Sequence, residues 1–202
     1  MQSSTYCGQR TDFVTEKQSA EGKLNNYKMI IIPKCDRVEK TTIEALRNYL
    51  NNGGKVIMLG EDCLKYDEYG NPYDSAVYSD VVAKSKIIPI TWSGLAMTSP
   101  TNKEIRDMLW TEYEALGLNK VRLVDTATGE TVYDVEWEHA EYNGNIIINV
   151  NNYNWNNQVS VAVEVNGQRV SEFTELRGLT KHTGSIELKP YEPVLLQIPV
   201  NK

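Results

Sequence analysis

Three cysteines and two histidines are the side chains of this 202-residue chain best suited to nucleophilic or metal chemistry. Cys35 stands two places past Pro33 in YKMIIIPKCDRV (27–38), just beyond the apolar run Met29–Ile32. A nucleophilic cysteine needs a base within hydrogen-bond reach and a site for the oxyanion. The usual device is a sharp, glycine-flanked strand-to-helix turn at a helix N-terminus. Pro33-Lys34-Cys35-Asp36-Arg37 has no glycine, and Asp36 opposes the two basic neighbours that would lower the thiol pKa. The expectation is a turn residue. Cys63, in GEDCL, reads the same way. Cys7, Cys35 and Cys63 form no CxxC pair and are odd in number, which fits neither a disulfide framework nor a zinc site. His139 and His182 are too far apart to make a local metal motif. No catalytic residue, metal or cofactor is expected.

Carboxylates give a second possibility. Glu61-Asp62 follow the strand-like KVIML (55–59) directly, at the carboxyl edge where open α/β sheets bind ligands. Trp92 follows a second strand candidate, Lys86–Ile90. An aromatic face beside carboxylate acceptors suits a sugar, so Glu61, Asp62 and Trp92 are the binding candidates, against a solvated loop with one packed tryptophan. Adjacent acids on one loop are not the opposed pair that glycoside cleavage needs. Tyr153 and Trp155 alternate with asparagines in NVNNYNWNN (149–157) and suit either sugar stacking or rim packing. Gly53-Gly54 ends a helix and so offers carbonyls where a phosphate needs N–H groups.

The elements that would hold these residues change period along the chain. Met29–Ile32 and Lys55–Leu59 read as buried parallel strands. Between them, Ile43, Leu46 and Leu50 lie on one helical face, with Thr41 and Glu44 as a capping box and Gly53 as the stop. This is a βαβ unit. Asp12–Thr15 reads as a short strand, Glu61–Ser75 as a loop and Ala76–Lys84 as a short helix. Thr101 and Glu104 make a second capping box, before a stripe of Ile105, Met108, Leu109 and Leu116 that Gly117 ends. From about Leu118 the period is two. Tyr133–Trp137, Ile146–Val150, Val159–Val165, Ile186–Leu188 and Val194–Ile198 are strand candidates, with turns at Asn143-Gly144 and Asn166-Gly167. The expected architecture is a Rossmann-like or flavodoxin-like parallel-sheet domain over 1–117, then an antiparallel β-sandwich over 118–202.

The totals narrow the partners. Net charge is −6, whereas a phosphate-binding surface is normally basic, so nucleic acid is not expected. No apolar run approaches the ~18 residues of a membrane span. The first twenty residues carry no basic start with an apolar stretch, so no leader is expected in this chain. A cytoplasmic location follows unless a longer parent carries a leader.

Two stretches together carry a resemblance. DFVTEKQSAEGKLNNYKMIIIPKCDRVEKTTIEALRNYLNNGGKVIMLGED resembles the amidotransferase-like domain that follows the catalytic barrel in glycoside hydrolase family 42 β-galactosidases. There it is known as the trimerisation domain. ELRGLTKHTGSIELKPYEPVLLQI and VEWEHAEYNGNIIINVNNYN look like the closing β domain of the same enzymes. The resemblance runs from about Asp12 to Ile198. It implies an amidotransferase-like fold without the glycine-rich elbow that holds a catalytic cysteine. It also implies a first domain cut short at its N-terminus. The family's catalytic glutamates lie on a (β/α)8 barrel, which needs about 250 residues. None has a counterpart here. The implied role is an accessory, oligomerising region of a glycoside hydrolase, partnered by its own copies or by a barrel. The alternatives are an independent carbohydrate-binding module and a small cysteine-dependent amidase.

Overall fold

The computed structural model describes residues 5–93 and 96–199, with the side chains of residues 92–98 outside the description. Chain contacts divide it into two compact units, Asp12–Thr101 and the remainder.

In the first unit, Asp12–Thr15 is not a strand. Thr15 instead caps the short helix α1 (Glu16–Ala20), its hydroxyl accepting from the Gln18 N–H while the Gln18 side chain accepts from the Thr15 N–H. That reciprocal pairing satisfies two otherwise free donors. β1 (Met29–Pro33), β2 (Lys55–Leu59) and β3 (Lys86–Ile88) form a parallel sheet in the order β1-β2-β3. Val56, Ile57 and Met58 are all buried, as a strand covered on both faces requires. β3 ends two residues short of the expected strand.

Helix α2 (Lys40–Asn51) crosses between β1 and β2, burying Ile43, Leu46 and Tyr49. Its start differs from the Thr41–Glu44 capping box read in the sequence. Glu39 is the N-cap residue and its own side chain makes no capping bond. Glu16 of α1 caps the helix from a distance: its Oε2 accepts from the Glu39 N–H at 2.6 Å and from the Thr42 hydroxyl at 2.9 Å. The C-terminus follows expectation. Gly53 has φ +85, its N–H reaches Leu50 O, and the Gly54 N–H reaches Tyr49 O. This is the glycine-terminated Schellman pattern. A 3-10 turn, Ser75–Val77, leads into α3 (Ser79–Lys84), where Arg47 of α2 grips Asp80 through Nε at 2.6 Å and a second guanidinium nitrogen at 3.0 Å. A hairpin of β4 (Thr91–Ser93) and β5 (Ala96–Ser99) ends the unit.

Among its described residues the second unit holds α4 (Asn102–Ala115) and nine strands: β6 (Val121–Asp125), β7 (Val135–Tyr142), β8 (Asn145–Asn152), β9 (Val159–Val165), β10 (Gln168–Arg169), β11 (Glu172–Glu175), β12 (Thr180–Thr183), β13 (Ile186–Leu188) and β14 (Val194–Pro199). One antiparallel sheet has the order β12-β11-β14-β8-β7. The other is built on β9, with which β6, β10 and β13 pair. Leu123, Val161, Val163 and Leu188 of one sheet share a single core with Trp137, Ile148, Val150 and Leu196 of the other. Two antiparallel sheets closed over one core make a sandwich. The Asn143-Gly144 and Asn166-Gly167 turns have positive φ at both residues, as a two-residue hairpin turn needs.

α4 groups with the sandwich, although the change of period in the sequence placed it with the parallel sheet. Trp110 of α4 lies 6.4 Å from Trp137, and the buried Arg106 guanidinium reaches Thr131 O and lies over the Tyr133 ring at 5.4 Å. The buried stripe is Ile105, Leu109 and Tyr113, and Met108 faces outward. Residues 5–11 belong to the same unit. Gly8 sits against Trp137 so closely that a Cβ there would fall 2.0 Å from the indole nitrogen.

Candidate functional site

Cys35 follows β1 in an irregular segment, half-buried, its thiol donating to Arg37 O at 3.3 Å. Burial pushes this thiol up from its ordinary pKa, and Glu16 and Asp36 push it further. Cys63 is buried, donates to Gly60 O and is likewise raised, chiefly by burial. Cys7 is buried in the second unit and pushed up to about 12 by burial. A thiol attacks as its thiolate, so all three environments weaken nucleophilicity. His139 and His182 lie on β7 and β12. Burial and Lys120 lower the His139 pKa, and His182 stacks on Phe173. Among the described residues no group of three or more His, Cys, Asp or Glu could hold a metal ion.

Glu61 and Asp62 follow β2 at the carboxyl edge, both exposed. Asp62 is held by Lys65 at 2.5 Å, which lowers its pKa. The three parallel strands run in chain order, so no reversal among the described strands opens the crevice in which such sheets bind ligands. The backbone of Trp92 lies in β4, and its side chain is outside the described residues.

A different cluster is assembled in the sandwich unit. β8 ends at Asn152, which is fully buried. Its amide nitrogen donates to Asn157 O and Leu188 O, both at 3.0 Å, and its amide oxygen accepts from the Asn154 N–H at 2.9 Å. Its carbonyl accepts from the Tyr191 N–H at 2.9 Å. One buried amide thus ties the 153–158 loop to the β13–β14 connection. A buried amide with its donors and acceptor paired fixes backbone geometry firmly.

The result is a surface cluster of three aromatic rings. Tyr191 meets Trp155 at 5.7 Å and 89°, and Tyr153 at 6.2 Å and 83°. Trp155 is 80% exposed, Tyr191 47% and Tyr153 38%. Tyr191 also borders an open cleft of about 760 Å³ whose wall includes Glu175, Arg177, His182, Glu187 and Lys189. Glu175 accepts from the Gly178 and Arg177 N–H groups at 2.6 and 2.9 Å, which holds its carboxyl below the usual range. Lys189 pairs with Glu192 at 3.5 Å. Sequence spacing found Tyr153 and Trp155. Tyr191 lies far along the chain, just before the strand candidate Val194–Ile198, and nothing in its spacing pointed to the other two rings. Trp137, at the end of the alternating segment Tyr133–Trp137, is 1% exposed and spends its indole N–H on Val121 O, so it is a core residue.

No family model and no curated protein sequence matches the chain. Solved structures do match its fold. The chain is similar to an apo exo-carrageenase of glycoside hydrolase family 42 from Bacteroides ovatus, with a TM-score of 0.69 and 21% identity over 99% of this chain and 26% of that one. It is similar to Gan42B, a family 42 β-galactosidase from G. stearothermophilus, with a TM-score of 0.65 and 15% identity over 98% of this chain and 35% of that one. It is also similar to a β-galactosidase from Bacillus circulans sp. alkalophilus, with a TM-score of 0.61 and 13% identity over 96% of this chain and 36% of that one. At these identities the likeness is one of fold. The chain spans about a quarter to a third of the length of these neighbours.

Proposed function

We propose that this chain is a non-catalytic accessory part of a family 42-type glycoside hydrolase. In this reading the parallel-sheet unit is an amidotransferase-like trimerisation domain and the sandwich is the closing β domain, both from the C-terminal part of such an enzyme. The observation that carries it is the match of 96–99% of this chain to only 26–36% of the neighbours' length. A likeness of that proportion is what a conserved portion of a longer enzyme gives. In the parallel-sheet unit Cys35 and Cys63 each spend the thiol on a backbone carbonyl and are raised by burial, which supports an amidotransferase-like shape without its reaction. The work done is assembly: apolar surface is buried between copies, or against a barrel, on the ~1,600 Å² scale of a stable interface.

Light scattering on the purified chain tests this. The expected result is a mass that rises above one chain with concentration. A clean monomer at high concentration would overturn the assembly role.

A further inference from the structure

We propose that Trp155, Tyr191 and Tyr153, with the adjoining cleft, form a binding site for a neutral oligosaccharide. The rings would stack on the C–H faces of pyranose units while the cleft's polar groups hydrogen-bond to their hydroxyls.

The arrangement of the rings comes first. An aromatic face carries negative quadrupole charge and attracts polarised C–H groups, and the edge-to-face pairing of these rings leaves most of Trp155 in water. Core packing does not account for a tryptophan that is 80% exposed. The cluster is also built rigidly. Tyr191 has φ +57, a left-handed conformation unfavourable to a bulky side chain, and the buried Asn152 carbonyl holds its N–H there. Asn152 ties the Trp155 loop to the same place through its side chain. Strain and a buried amide are therefore both committed to presenting these rings.

The cleft sets the ligand's charge. Its wall carries Glu175, Glu187 and Glu192 against Arg177 and Lys189, and Lys189 is already paired with Glu192. That balance disfavours a sulfated or carboxylated sugar and suits hydroxyls, which both donate and accept. At about 760 Å³ the cleft falls within the usual range of small-molecule sites.

The proposal rests on the glycosidase reading only for its choice of galactosides as probes. NMR titration of the whole chain with neutral galacto-oligosaccharides, and in parallel with their sulfated counterparts, tests it. The expected result is perturbation of the Trp155 indole signal by the neutral sugars, with weaker binding of the sulfated ones. W155A should weaken binding by about tenfold or more and W155F should retain most of it. Trp155 is so exposed that W155A should keep the parent's melting temperature, which separates lost binding from lost folding. No perturbation at sugar concentrations on the order of 10 mM would overturn the proposal. Equal binding by W155A, or preference for the sulfated sugars, would do the same. If W155A instead lowers the mass seen by light scattering and no sugar binds, the rings belong to an interface between copies and the proposal fails. A monomeric chain that still binds sugar through Trp155 would overturn the assembly reading alone.

Discussion

At the scale of single residues, the environment decides more than the residue type. Cys35 has basic neighbours in sequence, yet burial and the acids Glu16 and Asp36 set the direction of its pKa. Glu16 is distant in sequence, so its effect could not be read there. Gly8 is the opposite case, a position without chemistry that permits no other residue. Its φ is +67, and an added Cβ would lie 2.0 Å from Trp137 Nε1 and 2.5 Å from Cε2. Gly8→Ala must either move a fully buried tryptophan or release residues 5–11 from the sandwich. A cost of about 3 kcal/mol is expected from overpacking and left-handed strain together. A thermal melt followed by tryptophan fluorescence checks this, and an unchanged melting temperature would show that the segment is not docked. A glycine seven residues after the first methionine gives no such signal in sequence, because its partner is on another element.

At the scale of elements, helix ends separate what is local from what is not. The C-termini of α2 and α4 were legible because glycine supplies the left-handed residue within the segment itself. Gly117 repeats the pattern of Gly53, with the Leu118 N–H reaching Tyr113 O. The N-terminus of α2 was misread because the acceptor comes from Glu16 on another helix. Glu16→Ala should destabilise the chain by about 1 kcal/mol, the usual scale for a lost N-cap. Glu16→Gln should cost less, since an amide oxygen can still accept. The midpoint of urea unfolding reports both, and a wild-type midpoint for Glu16→Ala would mean that Thr41 or Glu39 caps the helix after all. Strands behaved similarly. Val159–Val165 and Ile186–Leu188 were bounded correctly from alternation, while β4, β5, β6, β10, β11 and β12 were missed. β11 and β12 carry charged and polar residues on both faces except for Phe173, so their period of two is nearly invisible.

At the scale of the whole molecule, several titrating groups act together on stability. The pKa of half-buried His139 is lowered, first by burial and then by Lys120, with Glu141 opposing. The unfolded chain therefore binds its proton more readily than the folded one. Stability from this group is complete above the ordinary value of 6.5 and is lost as pH falls below it. Asp80, held by Arg47, and Glu175, held by backbone N–H groups, are also lowered. Their contribution is present above the ordinary carboxylate range and is lost only at more acid pH. Melting temperature should accordingly fall from pH 7 to 5 and again below pH 4.5, and His139→Gln should flatten the first step alone. An unchanged first step in that variant would assign it elsewhere. The sequence by itself determined the strand-helix-strand crossover, the two-residue hairpin turns and the switch to a period of two, because each depends on backbone preferences and apolar spacing within a short segment. Only the tertiary structure decided that α4 packs with the sandwich, that Trp137 is core and that Tyr191 joins Trp155 at the surface. Those outcomes depend on which distant faces meet, and burial, unlike propensity, is a property of the neighbours that folding brings together.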